Sequence, residues 1–303
     1  MTSASTIIKS PYPFFGSKRR IVKDVWERLG AVENYIEPFA GSLSMLLGNP
    51  NIPKIETTND LDCFIPNFWR ATQADPDKVA QYADYPVLEA DLHARHRWLI
   101  SPAAEDFKKK INSDPKYYDA EIAGWWVWGM NASLGITFCK QRGLGCKPFL
   151  SMVGQGVTLP TVDVLEWFKI LQQRIKKVRV CCGDWSRVVT PSVTYKNKSL
   201  TKKGMVGVFL DPPYLVENRE DKLYRIETDV FYDVCKWAIE NAQHPKMRIA
   251  VCGYEGDFEF PSDWTTYNWT TTGGFSSFAK GEERGKENAK KEIIWFSPNC
   301  ISV

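Results

Sequence analysis

Short apolar runs recur through the second half of the chain, and longer amphipathic stretches separate them. These runs predict strands, which cover Val178–Cys182, Val206–Leu210, Arg248–Cys252 and Glu292–Phe296. A helix lies between the second and third of these strands, and one of its faces carries Val230, Val234 and Trp237. Asp229 is its predicted cap. Strands separated by helices are typical of a parallel or mixed α/β sheet.

The first third of the chain has the same alternation. Ser17 is the predicted cap of a helix that buries an apolar face from Ile21 to Leu29. A strand at Tyr35–Glu37 follows, and a second strand near Lys54–Thr58 ends at Asn59 and Asp60. The next helix carries, on its apolar face, Leu61, Ile65, Phe68 and Trp69.

Residues 70–168 differ from both flanks, because their pattern is mostly helical and prolines interrupt it. The segment ends with a helix predicted at Val164–Ile175. Trp125, Trp126 and Trp128 have a helical spacing that favours packing in a core over contact with a ligand. The pattern therefore predicts an α/β domain of residues 1–69 and 169–303 and an inserted, mainly helical domain of residues 70–168.

Composition and charge narrow the class of protein only modestly. The formal net charge of +3 neither identifies nor excludes a nucleic-acid-binding protein. No apolar run approaches the roughly 20 residues of a membrane helix. The eight cysteines form no CxxC pair and no secretion signal is evident, so we expect reduced thiols in a cytoplasm. His93 and His96 are explained better by a polar helix face than by a metal site, and no metal is predicted.

The stretch VFLDPPYL, residues 208–215, places an acid, two prolines and a tyrosine directly after a buried strand. Proline has no backbone N–H and cannot continue a sheet ladder, so the strand must end at Asp211. Pro212 and Pro213 stiffen the turn that carries Asp211 and Tyr214. Since ligands bind at the carboxyl ends of strands in open α/β sheets, this turn is a candidate site.

Other polar segments lie at further strand ends or near the start of the chain: PYPFFGSK (11–18), EPFAGS (37–42), ND (59–60) and GDW (183–185). Gly41 permits a tight turn that brings backbone close to a ligand, although Leu43 occupies the position of an expected second glycine. An acid at the end of the second strand commonly receives ribose hydroxyls. Taken singly, Asp60 is better explained as a helix cap and Asp184 as a turn residue. Their order before DPPY favours one site.

In this order the segments resemble the Dam-type N6-adenine DNA methyltransferases. In these enzymes the donor-binding motifs precede a target-recognition insertion, and DPPY follows. Further resemblances are NASLGITFCK (131–140) to the DNA-reading segment and KEIIWFSPN to the final strand. The resemblance covers most of the chain. It implies a Rossmann-like S-adenosylmethionine-dependent methyltransferase sheet, with residues 70–168 as the inserted target-recognition domain.

The resemblance implies that S-adenosylmethionine is the methyl donor. The residues implied for its binding are Phe14, Lys18, Glu37, Phe39, Gly41, Asp60, Asp184 and Asp211. Among them, Asp60 would take the ribose hydroxyls and Asp184 the adenine amine of the donor. Lys18 has an alternative explanation as a solvated lysine at the start of a helix.

The residues implied for catalysis are Asp211, Pro212, Pro213 and Tyr214. The exocyclic amine of adenine is a poor nucleophile, because its lone pair is delocalised into the ring. Acceptors on the Asp211 carboxylate and the Pro212 carbonyl would hold its two N–H bonds and turn the lone pair toward the methyl group. Tyr214 would stack on the base after the base has left the duplex.

The implied partner is double-stranded DNA, bound by a monomer or weak dimer in the cytoplasm of a bacterium or a phage-infected cell. Candidate contacts to DNA are Arg19, Arg20, Lys140, Arg142 and Lys147, and a lysine-rich loop adds Lys196, Lys198, Lys202 and Lys203. Lys140 replaces the arginine of relatives that modify GATC. Lysine constrains guanine contacts less than arginine, so we expect a relaxed or different sequence context.

Two alternative functions stay open. Transfer to the N4 amine of cytosine would use similar chemistry, although the usual serine form of DPPY is absent. A DNA-binding protein without catalysis is the second alternative, and the presence of Asp211, Tyr214 and Lys18 argues against it.

Overall fold

The chain forms a mixed α/β sheet in a computed structural model, which describes residues 8–14, 16–133, 138–139, 148, 156–214, 230–269 and 292–303. Within these ranges the strands are β1 (Asn34–Glu37), β2 (Ile55–Asp60), β3 (Arg179–Cys182), β4 (Val206–Leu210), β5 (Met247–Tyr254), β6 (Thr265–Asn268) and β7 (Glu292–Phe296). β1 and β4 are buried at every position, as expected of central parallel strands that are covered on both faces.

The strand order across the sheet is β3-β2-β1-β4-β5-β7-β6. β1 to β5 are parallel, whereas β7 runs antiparallel between β5 and β6. The chain moves outward from β1 through β2 to β3 and then crosses back to β4 on the other side of β1. This reversal leaves a crevice at the carboxyl ends of β1 and β4, which is where ligands bind in open α/β sheets.

Helices cover the sheet and fill the chain between β2 and β3. The α-helices of the described residues are α1 (Val22–Leu29), α2 (Ser44–Leu47), α3 (Phe64–Ala74), α4 (Pro76–Ala83), α5 (Glu89–Ile100), α6 (Glu105–Ser113), α7 (Ala120–Ala132), α8 (Val164–Ile175) and α9 (Phe231–Ala242). None of these helices is long and apolar enough to cross a membrane.

The helices between β2 and β3 pack closely on one another. α3 and α4 each contact both α7 and α8. Trp126 and Trp128 are buried on α7, and the Trp126 ring lies 4.8 Å from that of Tyr12. The predicted core role of these two tryptophans is confirmed. The assignment of residues 70–168 to a separate inserted domain stays a prediction, and α3 continues across residue 70 without interruption.

Most predicted elements agree with the structure, including α8, β4 and β7 at their predicted bounds. The predicted cap at Ser17 is wrong. Its hydroxyl contacts the hydroxyls of Ser42 (3.2 Å) and Ser44 (2.9 Å), and a 3-10 turn at Arg19–Ile21 precedes α1. The predicted cap Asp229 lies outside the described residues.

A buried ion pair connects the helical layer to the sheet. The Arg174 guanidinium on α8 donates two hydrogen bonds, each 2.7 Å long, to the Glu56 carboxylate on β2. It also donates to the carbonyl of Leu46 at 2.6 Å. Both charged side chains are almost fully buried. The pair therefore fixes α8, β2 and the helix that follows the EPFAGS loop.

We predict that Arg174→Ala lowers the free energy of unfolding by about 3–5 kcal/mol, because it leaves the buried Glu56 carboxylate unpaired. The matched control is Lys169→Ala on the same helix, which removes an exposed ion pair with Asp77 (3.5 Å). That change should cost about 1 kcal/mol or less. Urea unfolding of both variants measures the difference, and equal small losses would contradict the structural role of the pair.

Candidate active site at the sheet reversal

A cavity opens at the carboxyl ends of β1, β2 and β4. The residues predicted to bind the donor all line it: Phe14, Lys18, Glu37, Phe39, Gly41, Asp60, Asp184 and Asp211. Pro213 from the DPPY turn also contributes to its wall. The structure thus brings together segments that are up to 197 positions apart, from Phe14 to Asp211 (211 − 14 = 197). Their binding roles stay predictions.

The EPFAGS loop passes close to Phe14. Gly41 has a φ of +43°, and a Cβ at this position would lie 2.7 Å from Cε1 of Phe14, so only glycine fits without movement. The Gly41 N–H donates to Oδ2 of Asp60 at 3.0 Å. Leu43 adopts a left-handed conformation with a φ of 53°, as the expected second glycine would. The cost of about 1–2 kcal/mol is offset by full burial of its side chain.

The Asp60 carboxylate accepts hydrogen bonds from the EPFAGS loop and from Asp62 and does not cap α3. Its Oδ1 accepts the Asp62 N–H at 2.9 Å, while Oδ2 holds Gly41. The first turn of α3 is served instead by Asp62, whose carboxylate accepts the Phe64 N–H at 3.1 Å. The explanation of Asp60 as a helix cap is therefore wrong.

Asn59 and Asp184 connect β2 to the neighbouring strand ends. The Asn59 side-chain amide donates to the carbonyls of Pro38 (3.1 Å) and Gly183 (2.9 Å). Asp184 caps the 3-10 turn Trp185–Val188 by accepting the Ser186 N–H at 2.9 Å. The explanation of Asp184 as a turn residue is thus confirmed. Asp184 also lines the cavity.

Lys18 and Asp211 form the central ion pair of the site. The Lys18 side chain is only 4% exposed, and its Nζ lies 2.9 Å from Oδ1 of Asp211. The same ammonium donates to the carbonyl of Gly16 at 2.8 Å. The alternative explanation of Lys18 as a solvated lysine is therefore wrong.

Tyr214 packs beside this pair with both its ring and its hydroxyl. The hydroxyl donates to Oδ1 of Asp211 at 3.2 Å. The ring lies edge-on to Tyr254, with a centroid separation of 4.8 Å, and the Lys18 ammonium is 5.1 Å from its centre. The sequence predicted only a stacking role for Tyr214, so the contact between its hydroxyl and the Asp211 carboxylate is a new feature.

Glu37 lies buried beneath the cavity. Its Oε2 accepts hydrogen bonds from the Tyr35 hydroxyl and the Leu46 N–H, both at 3.1 Å. Burial raises the pKa of Glu37 to about 8, and the negative charge of Asp211 adds to the rise. Glu37 is therefore mostly protonated at neutral pH and adds little negative charge to the site.

Two residues that the sequence analysis did not assign also face Lys18. Oε2 of Glu292 lies 3.9 Å from Nζ of Lys18, and the Trp269 ring centre lies 6.0 Å from it. Both residues belong to the antiparallel part of the sheet, where Trp269 N donates to the Glu292 carbonyl. Residue spacing could not predict that Glu292 and Trp269 lie near Lys18, because their position depends on the insertion of β7 between β5 and β6.

The candidate DNA contacts divide into three groups. Arg19 and Arg20 are exposed in the 3-10 turn directly after Lys18. Lys140, Arg142 and Lys147 lie outside the described residues. The lysine-rich loop lies at the amino ends of the strands, where Lys246 donates to Thr201 (3.2 Å) and Lys54 to Ser199 (2.8 Å). This opposite edge argues against the predicted phosphate contact of that loop with DNA bound at Asp211.

The explanation of His96 as part of a polar helix face is wrong. His96 is buried, and its Nδ1 accepts the Cys139 N–H at 3.1 Å. Across the described ranges, no group of three His, Cys, Asp or Glu side chains is arranged to hold a metal ion.

A family model described as D12 class N6 adenine-specific DNA methyltransferase matches residues 14–121. The match confirms the family resemblance and indicates an adenine-specific DNA methyltransferase. It contains Lys18, the EPFAGS loop and Asp60, and it ends before the DPPY turn. No curated protein matches the chain.

The raised pKa of Glu37 predicts a pH-dependent stability. Because the folded pKa of about 8 lies above the ordinary value of 4.5, the folded state retains a proton that the unfolded state releases. This contribution is fully present below the unfolded pKa and is lost as pH rises toward the folded pKa. Between pH 5 and pH 8, the free energy of unfolding should fall by about 3 kcal/mol more in the wild type than in Glu37→Gln. Urea unfolding of the wild type and of Glu37→Gln at pH 5 and at pH 8 tests this. An equal change in the free energy of unfolding of the two proteins would contradict a protonated Glu37.

Proposed function

We propose that the chain transfers a methyl group from S-adenosylmethionine to the N6 amine of an adenine flipped out of double-stranded DNA. The observation that carries the proposal is the buried ion pair of Lys18 and Asp211 on the DPPY turn, at the edge of a cavity lined by acidic residues. The family match supports the reaction class.

The cavity residues fit the donor chemically. Asn59 lines the cavity, and its buried Oδ1 has no hydrogen-bond partner among the described residues, so it can accept from a ligand. Asp60 and Asp184 offer carboxylates for the ribose hydroxyls and the adenine amine, as the family resemblance implies. The negative charge of this wall suits a positively charged sulfonium, which supplies an electrophilic methyl group when the donor is bound.

The DPPY turn is suited to hold the target amine. Oδ1 of Asp211 is engaged by Lys18 and Tyr214. Within the described part of the chain, Oδ2 of Asp211 has no hydrogen-bond partner, so it can accept one N–H of the amine. The Pro212 carbonyl would accept the other. Two acceptors on one side of the nitrogen favour a pyramidal geometry, with the lone pair turned toward the methyl group.

Lys18 and Tyr214 hold Asp211 in this role. The Lys18 ammonium lies 2.9 Å from Oδ1 of Asp211 and forms a charge-assisted contact with it, and the Tyr214 hydroxyl fixes the orientation of the same oxygen. The Tyr214 ring would stack on the flipped base. Flipping costs a few kcal/mol, and a stacked aromatic ring returns about 1–3 kcal/mol of it.

Arg19 and Arg20 would contact phosphates near the target base, and their exposed position directly after Lys18 supports this. The contacts of Lys140, Arg142 and Lys147, and the relaxed sequence context inferred from Lys140, remain part of the proposal on sequence grounds alone.

The proposal is tested by incubating the protein with duplex DNA and methyl-labelled donor, followed by nucleoside analysis. Label in N6-methyladenine supports it. Label in N4-methylcytosine would favour the alternative acceptor, and bound DNA without label would favour a non-catalytic protein.

We predict that Asp211→Ala lowers the single-turnover rate by about 100- to 1,000-fold, because it removes a fixed acceptor that acts on the reacting amine. Calorimetry should still detect donor binding, since the other acidic residues of the cavity remain. Asp233→Ala, an exposed carboxylate on α9, is the matched control and should react at the wild-type rate. A wild-type rate in Asp211→Ala would remove Asp211 from the mechanism.

A further inference from the structure

Glu292 is a second carboxylate near the Lys18 ammonium. It is the first residue of β7, and its register partner on β5 is Tyr254, whose ring packs on Tyr214. The Glu292 side chain is 12% exposed, and its Oε2 lies 3.9 Å from Nζ of Lys18. Among the described residues, this buried oxygen has no hydrogen-bond partner.

Several ionisable groups face Glu292 from the neighbouring elements: Lys18 before α1, Asp211 and Tyr214 after β4, and Cys252 and Tyr254 on β5. Glu37 on β1 lies farther away, near Asp211. Burial raises the pKa of Glu292 and Asp211 raises it further, whereas Lys18 lowers it. One ammonium thus lies between two carboxylates, with Asp211 at 2.9 Å and Glu292 at 3.9 Å.

Transfer of the methyl group creates a need for a second carboxylate. As the C–N6 bond forms, the C–S bond breaks and sulfur keeps its electron pair. The methylated N6 then carries a positive charge and must release one proton. Oδ2 of Asp211 is the nearest acceptor in the proposed geometry, so Asp211 becomes neutral. The buried Lys18 ammonium would then lose the negative charge of the carboxylate that lies 2.9 Å from it, which is unfavourable.

We propose that Glu292 is the second counter-ion of Lys18 and pairs with it when Asp211 receives the proton from N6. The proposal rests on the proposed function. A shift of about 1 Å would bring Nζ and Oε2 from 3.9 Å to hydrogen-bonding distance. Glu292 acts through Lys18 and does not touch the base, so it is a positioning residue.

The first test measures single-turnover methyl transfer from pH 5.5 to 9 in Glu292→Gln, Glu292→Asp and Glu240→Gln. We expect Glu292→Gln to lower the plateau rate about tenfold. Its acid limb should move to lower pH, because one negative charge no longer favours protonation of the reacting carboxylate. Glu292→Asp should recover part of the rate. Glu240→Gln changes an exposed carboxylate on α9 and should match the wild type. A wild-type plateau and acid limb in Glu292→Gln would overturn the proposal.

The second test needs no methyl transfer and therefore separates this proposal from the proposed function. Carboxyl ¹³C NMR follows the titration of Glu292, which is assigned by its loss in Glu292→Gln. In Asp211→Asn, a neutral mimic of protonated Asp211, the Glu292 resonance should titrate at lower pH than in the wild type. This decrease should exceed the one that Asp211→Asn causes in a Lys18→Met background, where only the loss of the Asp211 charge acts on Glu292. Equal decreases in the two backgrounds would overturn the counter-ion role. A larger decrease with Lys18 present, in a protein that forms no N6-methyladenine, would support the pairing and contradict only the proposed function.

Discussion

The ion pair between the buried Lys18 and Asp211 is the interaction on which the arrangement of the site depends. An ammonium that is 4% exposed has lost most of its hydration, so it must be compensated by charges and dipoles of the protein. The chain supplies an acceptor at Gly16 and carboxylates at Asp211 and Glu292. Three distant segments are therefore held together: the turn before α1, the end of β4 and the start of β7. The placement of Asp211 and Tyr214 follows from this compensation.

The balance of charge in the cavity depends equally on burial. A fully ionised set of Glu37, Asp211 and Glu292 around a single ammonium would be strongly repulsive. Burial raises the pKa of Glu37 to about 8, so this residue is mostly neutral at physiological pH, and it accepts hydrogen bonds from the Tyr35 hydroxyl and the Leu46 N–H. Asp211 is more exposed than Glu292 and lies closest to Lys18. The environments of these carboxyl groups thus assign them different roles.

Sheet topology and local motifs together explain how much of the molecule the sequence could predict. The prolines after Leu210 end a strand and Gly41 permits a tight turn, and both effects depend only on the local sequence. DPPY and EPFAGS were therefore recognisable as strand-end turns. The meeting of those turns in one cavity followed from the rule for parallel sheets. The apolar spacing of α8 was likewise sufficient to give its bounds.

What the sequence could not predict depends on long-range contacts. Ser17 resembles a helix cap, yet its hydroxyl turns toward Ser42 and Ser44 because the EPFAGS loop packs beside it. β6 was missed because its residues are mostly exposed and form no apolar run. The sequence pattern indicates only that Glu292 is the polar first residue of a strand. The antiparallel pairing of β7 with β5 brings it close to Lys18. The lysine-rich loop was assigned to DNA from its charge alone, and the register of β1 and β4 places it at the opposite edge.

The most direct measurement of the central role of Lys18 is the single-turnover rate of Lys18→Met at saturating donor and DNA. Methionine keeps much of the buried side-chain volume and removes the charge, so the rate should fall by about 100-fold or more. Lys23→Met, which changes a lysine on α1 that is 84% exposed, should leave the rate unchanged. A wild-type rate in a folded, donor-binding Lys18→Met protein would contradict the dependence of the site on the Lys18–Asp211 pair.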